Sequence, residues 1–418
     1  MITPILSRVY TPEDYGEWGI FASIYLIVNY VLFLSYDNAI IRTSKEQEIP
    51  NLICLCLIIA MVMILLLSII FKFGSLLGID FFISYPRFDL LIILLSTATV
   101  LNLATTLANR FEFFGAMSIS NVINGCLQAS FRILFGLTTI IGSGLILGTV
   151  LAQMCATIVL ILMMLTLLKN IDYTKISISE IKRLAIENKK FPLYDAPSCL
   201  LNFSTGQLAV IILAFYFSQA EIGCFSMIVQ FVLLPVSFVG VAISKVYYRK
   251  ISALSDNIAE ISHITLQVSK ITVSLCMLPT LFLICGGDKF LIWFLGDQWM
   301  TAGNMALCLS IVSIPIILTE ALLPIYKTLN LQNVRFQMDL VSFILSLGGL
   351  FVMCIFSKNV LYSIMIYSLM FGTIRFIMFL NILYVAKIKI VDISRYFFIA
   401  ILLCYIGIFV RIYFNLVG

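Results

Sequence analysis

The chain has 418 residues, of which 61% are hydrophobic and 11% charged, with a net charge of +5 and a mean hydropathy of +1.09. Soluble domains carry roughly 25% charged residues, so this chain has too little polar side chain to cover a water-facing surface. Soluble multidomain organisation is excluded, and an all-α polytopic membrane protein with the lipid bilayer as its main partner, and no nucleic-acid partner, is expected.

In chain order, apolar stretches of about 20 residues, enough to cross a bilayer, fall near 17–41, 51–73, 89–109, 118–141, 145–168, 197–217, 223–246, 262–286, 303–326, 338–357, 360–385 and 396–414. Residues 1–9 read as the tail of an earlier apolar segment, so most of a first helix is expected upstream of Met1. Orientation follows from the basic residues, because Lys and Arg are retained on the cytoplasmic side. Seventeen of the 26, from Arg42 to Arg395, fall on one set of alternate connections, and six (Arg8, Lys72, Arg87, Lys289, Lys358, Arg411) fall on the other. The first set is assigned to the cytoplasm, which leaves Arg132, Lys270 and Arg375 inside spans.

Two segments that both run inward from the outer side match at an offset of 207 residues. They are Asp14-Tyr15-Gly16-Glu17-Trp18 and Glu221-Ile222-Gly223-Cys224-Phe225, each reading acid, apolar or aromatic, Gly, any residue, aromatic. The match implies two parallel, pseudo-symmetric halves of about six helices. The expected organisation is an N-terminal transmembrane lobe at 1–168 with an incomplete first helix, a cytoplasmic linker at 169–196, a C-terminal lobe at 197–385 and an additional helix at 396–414. Within the linker, Ile178, Ile181 and Ala185 share one face, with Ser177 at the N-cap, as in an amphipathic helix lying on anionic headgroups.

Most of the eleven cysteines lie in apolar runs, as small buried hydrophobes. The single histidine, His263, cannot build a metal cluster or a Ser/His/Asp site. Charge at membrane depth is the informative signal, since Arg or Lys at a helix centre costs about 2.5 to 3.5 kcal/mol on insertion scales. Arg132, with no acid on its own helix, reads as an anion contact or as half of a structural pair. Lys270 lies about a third of the way across and reads as an anion contact or a snorkelling side chain. Arg375 and Glu320, both in the inner half of C-terminal spans, read as a neutralising pair or as a gate or ion-coupling pair. Asp37 is a boundary residue with ion coupling as its sharper alternative. Pro235, Pro279, Pro315 and Pro324 permit kinks, and Gly144 and Gly148 form a packing spacing.

No Gly-x-x-x-x-Gly-Lys-Ser/Thr loop is present, and the outer connections are at most about 16 residues, too short to house a catalytic site. No enzyme activity, metal or cofactor is therefore expected. Four ordered stretches, 6–16, 190–197, 223–248 and 293–299, resemble the bacterial O-antigen and polysaccharide flippase family of the multidrug/oligosaccharidyl-lipid/polysaccharide exporter superfamily. They include Tyr10-Thr11-Pro12-Glu13-Asp14-Tyr15-Gly16, Lys190-Phe191-Pro192-Leu193-Tyr194-Asp195, Pro235-Val236-Ser237-Phe238 and Trp293-Phe294-Leu295-Gly296-Asp297-Gln298-Trp299.

The resemblance implies a MATE-like bundle of two six-helix lobes around a central cavity, in the bacterial inner membrane. It implies transport of an undecaprenyl-pyrophosphate-linked oligosaccharide from the cytoplasmic to the periplasmic leaflet, alongside an O-antigen polymerase and chain-length machinery. It also implies a cationic cavity onto which Arg132, Lys270 and Arg375 map by depth. The alternatives are a cation-coupled multidrug exporter of the same fold, using Glu320 and Asp37, and a membrane O-antigen polymerase or glycosyltransferase.

Overall fold

The computed structural model describes residues 3–43, 45–78, 87–138, 144–169, 176–252, 254, 257–389, 391–396, 398, 406 and 411. Among them there are helices and turns and no strand. The all-helical class follows from the solvent: backbone groups in hydrocarbon must bond within their own segment. The chain divides into two compact units, Met1–Ile211 and Ile212–Gly418.

The first unit contains α1 (Thr3–Val9), α2 (Pro12–Val31), α3 (Asp37–Arg42), α4 (Ile49–Leu76), α5 (Phe88–Arg110), α6 (Phe114–Leu137), α7 (Gly144–Met163) and α8 (Ile178–Glu187). α9 (Ala196–Ala214) runs across the division. The second unit contains α10 (Gln219–Ile228), α11 (Leu234–Ser252), α12 (Ile258–Phe282), α13 (Asp288–Leu295), α14 (Met300–Leu322), α15 (Pro324–Thr328), α16 (Gln332–Phe356) and α17 (Val360–Val385). α7 packs against α2, α5 and α6, and α14 is the centre of the second unit, packed against α10 to α13 and α17.

Seven helices among the described residues are long and apolar enough to cross a membrane, or eight when a pair bent by 54° counts as one span. Twelve spans were expected, and the difference has identifiable causes. α2 carries Glu13, Asp14 and Glu17 in its first two turns, and α6 carries amides and an arginine. The span expected at 396–414 falls almost wholly outside the described residues, as does the end of 118–141.

The span at 17–41 is not one helix: α2 ends at Val31, and α3 restarts at Asp37 after Leu34 and Ser35 take left-handed φ of 48° and 62°. Neither is glycine, so the break leaves no mark in the sequence. The pair bent by 54° is Asp297–Ser310 with Val312–Thr328, and it carries Pro315 inside a helix, where a proline ring collides with the carbonyl four residues earlier. A wider π-helical turn at Val229–Leu233 directly precedes α11.

The internal repeat has a structural signature. α2 begins with a reciprocal cap, Thr11 N–H donating to Asp14 Oδ2 at 2.8 Å and Asp14 N–H to Thr11 Oγ1 at 3.3 Å. α10 begins with the same device 207 residues later, Ser218 N–H to Glu221 Oε2 at 3.0 Å and Glu221 N–H to Ser218 Oγ at 3.4 Å. The acid of the repeated pattern is thus the third helical residue of a capping box.

α8 corrects the expected face of the linker. Leu184 is fully buried, and Ile181 and Ala185 pack beside it on the core of Leu32, Tyr36, Leu52, Cys56 and Leu107, whereas Ile178 is 86% exposed. Ser177 holds the N-cap position, but its hydroxyl pairs with Ser179, and its N–H donates to Asn51 Oδ1 at 2.9 Å. Tyr36 Oη donates to the Ala185 carbonyl at 3.0 Å, and Arg183 bridges Glu48 at 3.0 Å. The helix is strapped onto the first unit through Leu184 with Ile181 and Ala185, two of the three residues of the expected face.

Candidate functional site

Polar side chains inside the first unit form three separate hydrogen-bonded groups. On α6, Arg132 is 7% exposed, its Nη2 donates to Thr149 Oγ1 at 2.8 Å, and its guanidinium lies 4.9 Å from the centre of the Trp18 ring. Cation and ring face attract one another in such an arrangement. Its Nε has no hydrogen-bond partner, and among the described residues no carboxylate lies within ion-pairing distance.

Arg132 lies 18 residues into α6, about 27 Å from the helix start and about 8 Å from Leu137. That is nearer the C-terminal end of the helix than the expected span implied, because α6 starts earlier and stops earlier. One turn along α7 from Thr149, Gln153 accepts from Tyr25 Oη at 2.9 Å and donates to Thr97 Oγ1 at 3.2 Å and to the Leu94 carbonyl at 3.1 Å. One turn along α2 from Tyr25, Asn29 Oδ1 accepts from Asn102 Nδ2 at 2.8 Å. These uncharged groups escape a search for ionisable residues. Their sequence signal is the helical spacing of Tyr25 and Asn29 on one helix and of Thr149, Gln153 and Thr157 on another.

The sequence builds the surroundings of Arg132 from its N-terminal motif. Tyr10 is fully buried, and its hydroxyl donates to the Arg132 carbonyl at 2.7 Å. Tyr15 is buried and meets Trp18 edge to face at 6.1 Å. Gly148 stands against Arg132, where an added Cβ would lie 2.8 Å from Cγ and 3.0 Å from the backbone nitrogen. Gly144 meets the Tyr10 ring in the same way. The small residues let α7 approach α6 closely enough for Thr149 to reach the guanidinium. Gly148→Leu should therefore drive the helices apart and lower membrane abundance severalfold, measured by immunoblot of the membrane fraction, whereas Gly148→Ala should cost less.

The second unit holds a cluster of four charges. Arg375, 4% exposed, places Nη1 3.7 Å from Glu320 Oε1 and 3.9 Å from Asp339 Oδ1. Asp339, 5% exposed, also pairs with Arg335 at 3.5 Å. The guanidinium of Arg375 lies 5.1 Å from the Phe371 ring centre. Gly240 of α11 packs on Glu320, where a Cβ would lie 2.7 Å from the glutamate Cβ. The expected pairing of Arg375 with Glu320 is present, and Asp339 joins it. Asp339 lies at the start of the span at 338–357, and the sequence signal for it is Arg335 one turn earlier.

The other expected residues lie apart. Lys270 on α12 is half-buried, with Nζ 5.6 Å from the Tyr396 ring centre. Asp37 begins α3, at the opposite end of α2 from Trp18. Asp288, buried at the start of α13, takes a two-pronged pair from Arg411 at 2.6 and 3.3 Å, a contact that hydropathy could not reveal. Among the described residues no cluster of His, Cys, Asp and Glu could hold a metal ion.

A family model described as polysaccharide biosynthesis protein matches residues 5–304. The chain belongs to that family. No curated protein matches the sequence. Among solved structures, an inward-facing multidrug resistance MATE family transporter of the MOP superfamily is similar with a TM-score of 0.73 at 12% identity, over 92% of this chain and 94% of the other. The lipid II flippase MurJ, in an inward closed conformation, is similar with a TM-score of 0.72 at 13% identity, over 100% of this chain and 97% of the other. At these identities the likeness establishes the fold, a MATE-like multi-pass helical membrane protein. The residues Tyr10, Tyr15, Tyr247 and Trp299 from the family-like stretches are all fully buried, so they serve the scaffold.

Proposed function

We propose that this protein is a flippase that moves an undecaprenyl-pyrophosphate-linked oligosaccharide, an O-antigen or capsule repeat unit, from the cytoplasmic to the periplasmic leaflet by alternating access in the bacterial inner membrane. The observation that carries the reading is Arg132: a guanidinium within an intramembrane helix, with an unbonded Nε and no neighbouring acid among the described residues. A pyrophosphate accepts paired N–H donors in the fork geometry that arginine presents. The family and the fold supply the context, a polysaccharide pathway and a scaffold shared with transporters and a lipid II flippase.

Lys270 and Arg375 are proposed as further anion contacts, and Glu320 and Asp37 as gate or ion-coupling residues. A cation-coupled exporter that binds its substrate through acids is less well supported, because Glu320 and Asp339 face Arg375 and Arg335, two cations for two carboxylates. Catalysis is not part of the proposal.

The headgroup cannot cross hydrocarbon unaided, since an unpaired charge in an apolar medium costs far more than thermal energy. Deleting the gene should make the lipid-linked repeat unit accumulate severalfold while surface glycan falls, measured by extracting undecaprenyl-linked sugars. An unchanged lipid-linked pool with surface glycan lost would place the protein at another step.

A further inference from the structure

α6 is long enough to span a bilayer but fails on apolarity, and its polar residues are segregated. At 100° per residue, Ser118, Asn121, Asn124, Gly125, Gln128 and Arg132 fall within one arc of about 120°. The rest of the helix between them is Ile119, Val122, Ile123, Leu127 and similar side chains. Two hydroxyls lie outside the arc, and both are satisfied: Ser120 donates to the Ala156 carbonyl at 2.9 Å and Ser130 to the Cys126 carbonyl at 2.9 Å.

Short of the buried Arg132, the arc is open or half-open. Ser118 and Asn121 are exposed within the first unit, Asn124 and Gln128 are half-buried, and a Cβ added to Gly125 would meet nothing within 4 Å. The amide contact that the arc does make is a long one, Gln128 Nε2 to Thr149 Oγ1 at 3.4 Å. Lipid cannot satisfy exposed amides, so an intramembrane face of this kind turns to water, to protein or to a ligand. Its chemistry narrows the ligand. From Ser118 the arc carries neutral donors and acceptors over about 21 Å and ends on one cation, Arg132. Successive groups three or four residues apart are spaced about 5 to 6 Å. Gly125 leaves bare backbone in the middle, where a ring can approach closely.

We propose that Ser118, Asn121, Asn124 and Gln128 form a ladder that hydrogen-bonds the hydroxyls of uncharged sugar residues in the transported glycan. The assignment rests on the flippase reading and adds to it a specificity element separate from the anion contact. The ladder discriminates among glycans because a site built to bond hydroxyls rejects a ligand that leaves its amides unpaired.

The test uses the purified full chain in lipid nanodiscs with two probes: undecaprenyl pyrophosphate, and the undecaprenyl-pyrophosphate-linked repeat unit isolated from the deletion strain. Wild type should bind the second probe at least tenfold more tightly. Asn121→Leu/Asn124→Leu/Gln128→Leu should erase that advantage and leave the affinity for bare undecaprenyl pyrophosphate within about twofold, which doubles as the control for folding. Wild-type affinity of the triple variant for both probes would overturn the ladder. So would a parallel fall in both affinities with reduced membrane abundance, which would make the arc a packing surface. Wild type binding neither probe would overturn the flippase reading itself, and the ladder with it.

Discussion

Arg132→Ala should abolish surface polysaccharide while the protein remains in the membrane. The side chain makes one hydrogen bond, to Thr149, and lies over Trp18, so its removal breaks no ion pair among the described residues. What is lost is a charge-assisted fork aimed at an anion, worth about 1.5 to 3 kcal/mol per charged hydrogen bond, or roughly ten- to a hundredfold in substrate affinity. Arg132→Lys should retain partial export, because an ammonium keeps the charge but not the two parallel donors. Arg132→Glu should lose export through repulsion. The long stem also packs against Gly148, so alanine leaves a cavity, and Arg132→Met supplies the control by keeping bulk without charge. Surface polysaccharide and membrane abundance, measured together, separate the effects. Wild-type export by Arg132→Met at normal abundance would exclude the anion contact.

Different parts of the molecule were legible for different reasons. Membrane class followed from composition alone, because an apolar exterior leaves no other solvent. The repeat was visible in five residues, and its acid proved to be a helix-capping device, whose geometry is local and therefore written locally. The breaks were less legible. Pro315 marks a bent pair of segments, whereas nothing in Leu34-Ser35, neither of them glycine, announces left-handed backbone. The linker face was misplaced by one position in the pattern: Ile178 and Leu184 both fit a helical stripe, and contacts with α4 decide which is buried.

At the sites, an inventory of intramembrane charge found Arg132, Arg375 and Glu320 but missed Asp339, whose depth depends on where α16 begins. It missed the Tyr25–Gln153 and Asn29–Asn102 pairs altogether, because neutral amides cost less at insertion and so stand out less. Partners across helices come from tertiary packing, which a single sequence does not record.

Arg375→Met should be the most destabilising single change in the second unit. It leaves Glu320 facing a buried site without its cation and removes one of the two guanidiniums beside Asp339. Removing one partner of a buried charge pair costs about 3 to 5 kcal/mol, because the remaining charge stays desolvated. Membrane abundance should drop severalfold, and detergent-solubilised protein should unfold at a lower temperature. Arg375→Met/Glu320→Gln should restore both, since Arg335 and Asp339 then form a balanced pair on their own helix.

Export by the double variant decides between the roles. If Arg375 and Glu320 only neutralise one another, transport returns with abundance. If they act as a gate, or if Arg375 also holds the anionic substrate, abundance returns and export stays lost. Normal abundance of Arg375→Met alone would sink the pairing argument, because two carboxylates at this burial cannot share the one remaining guanidinium without cost.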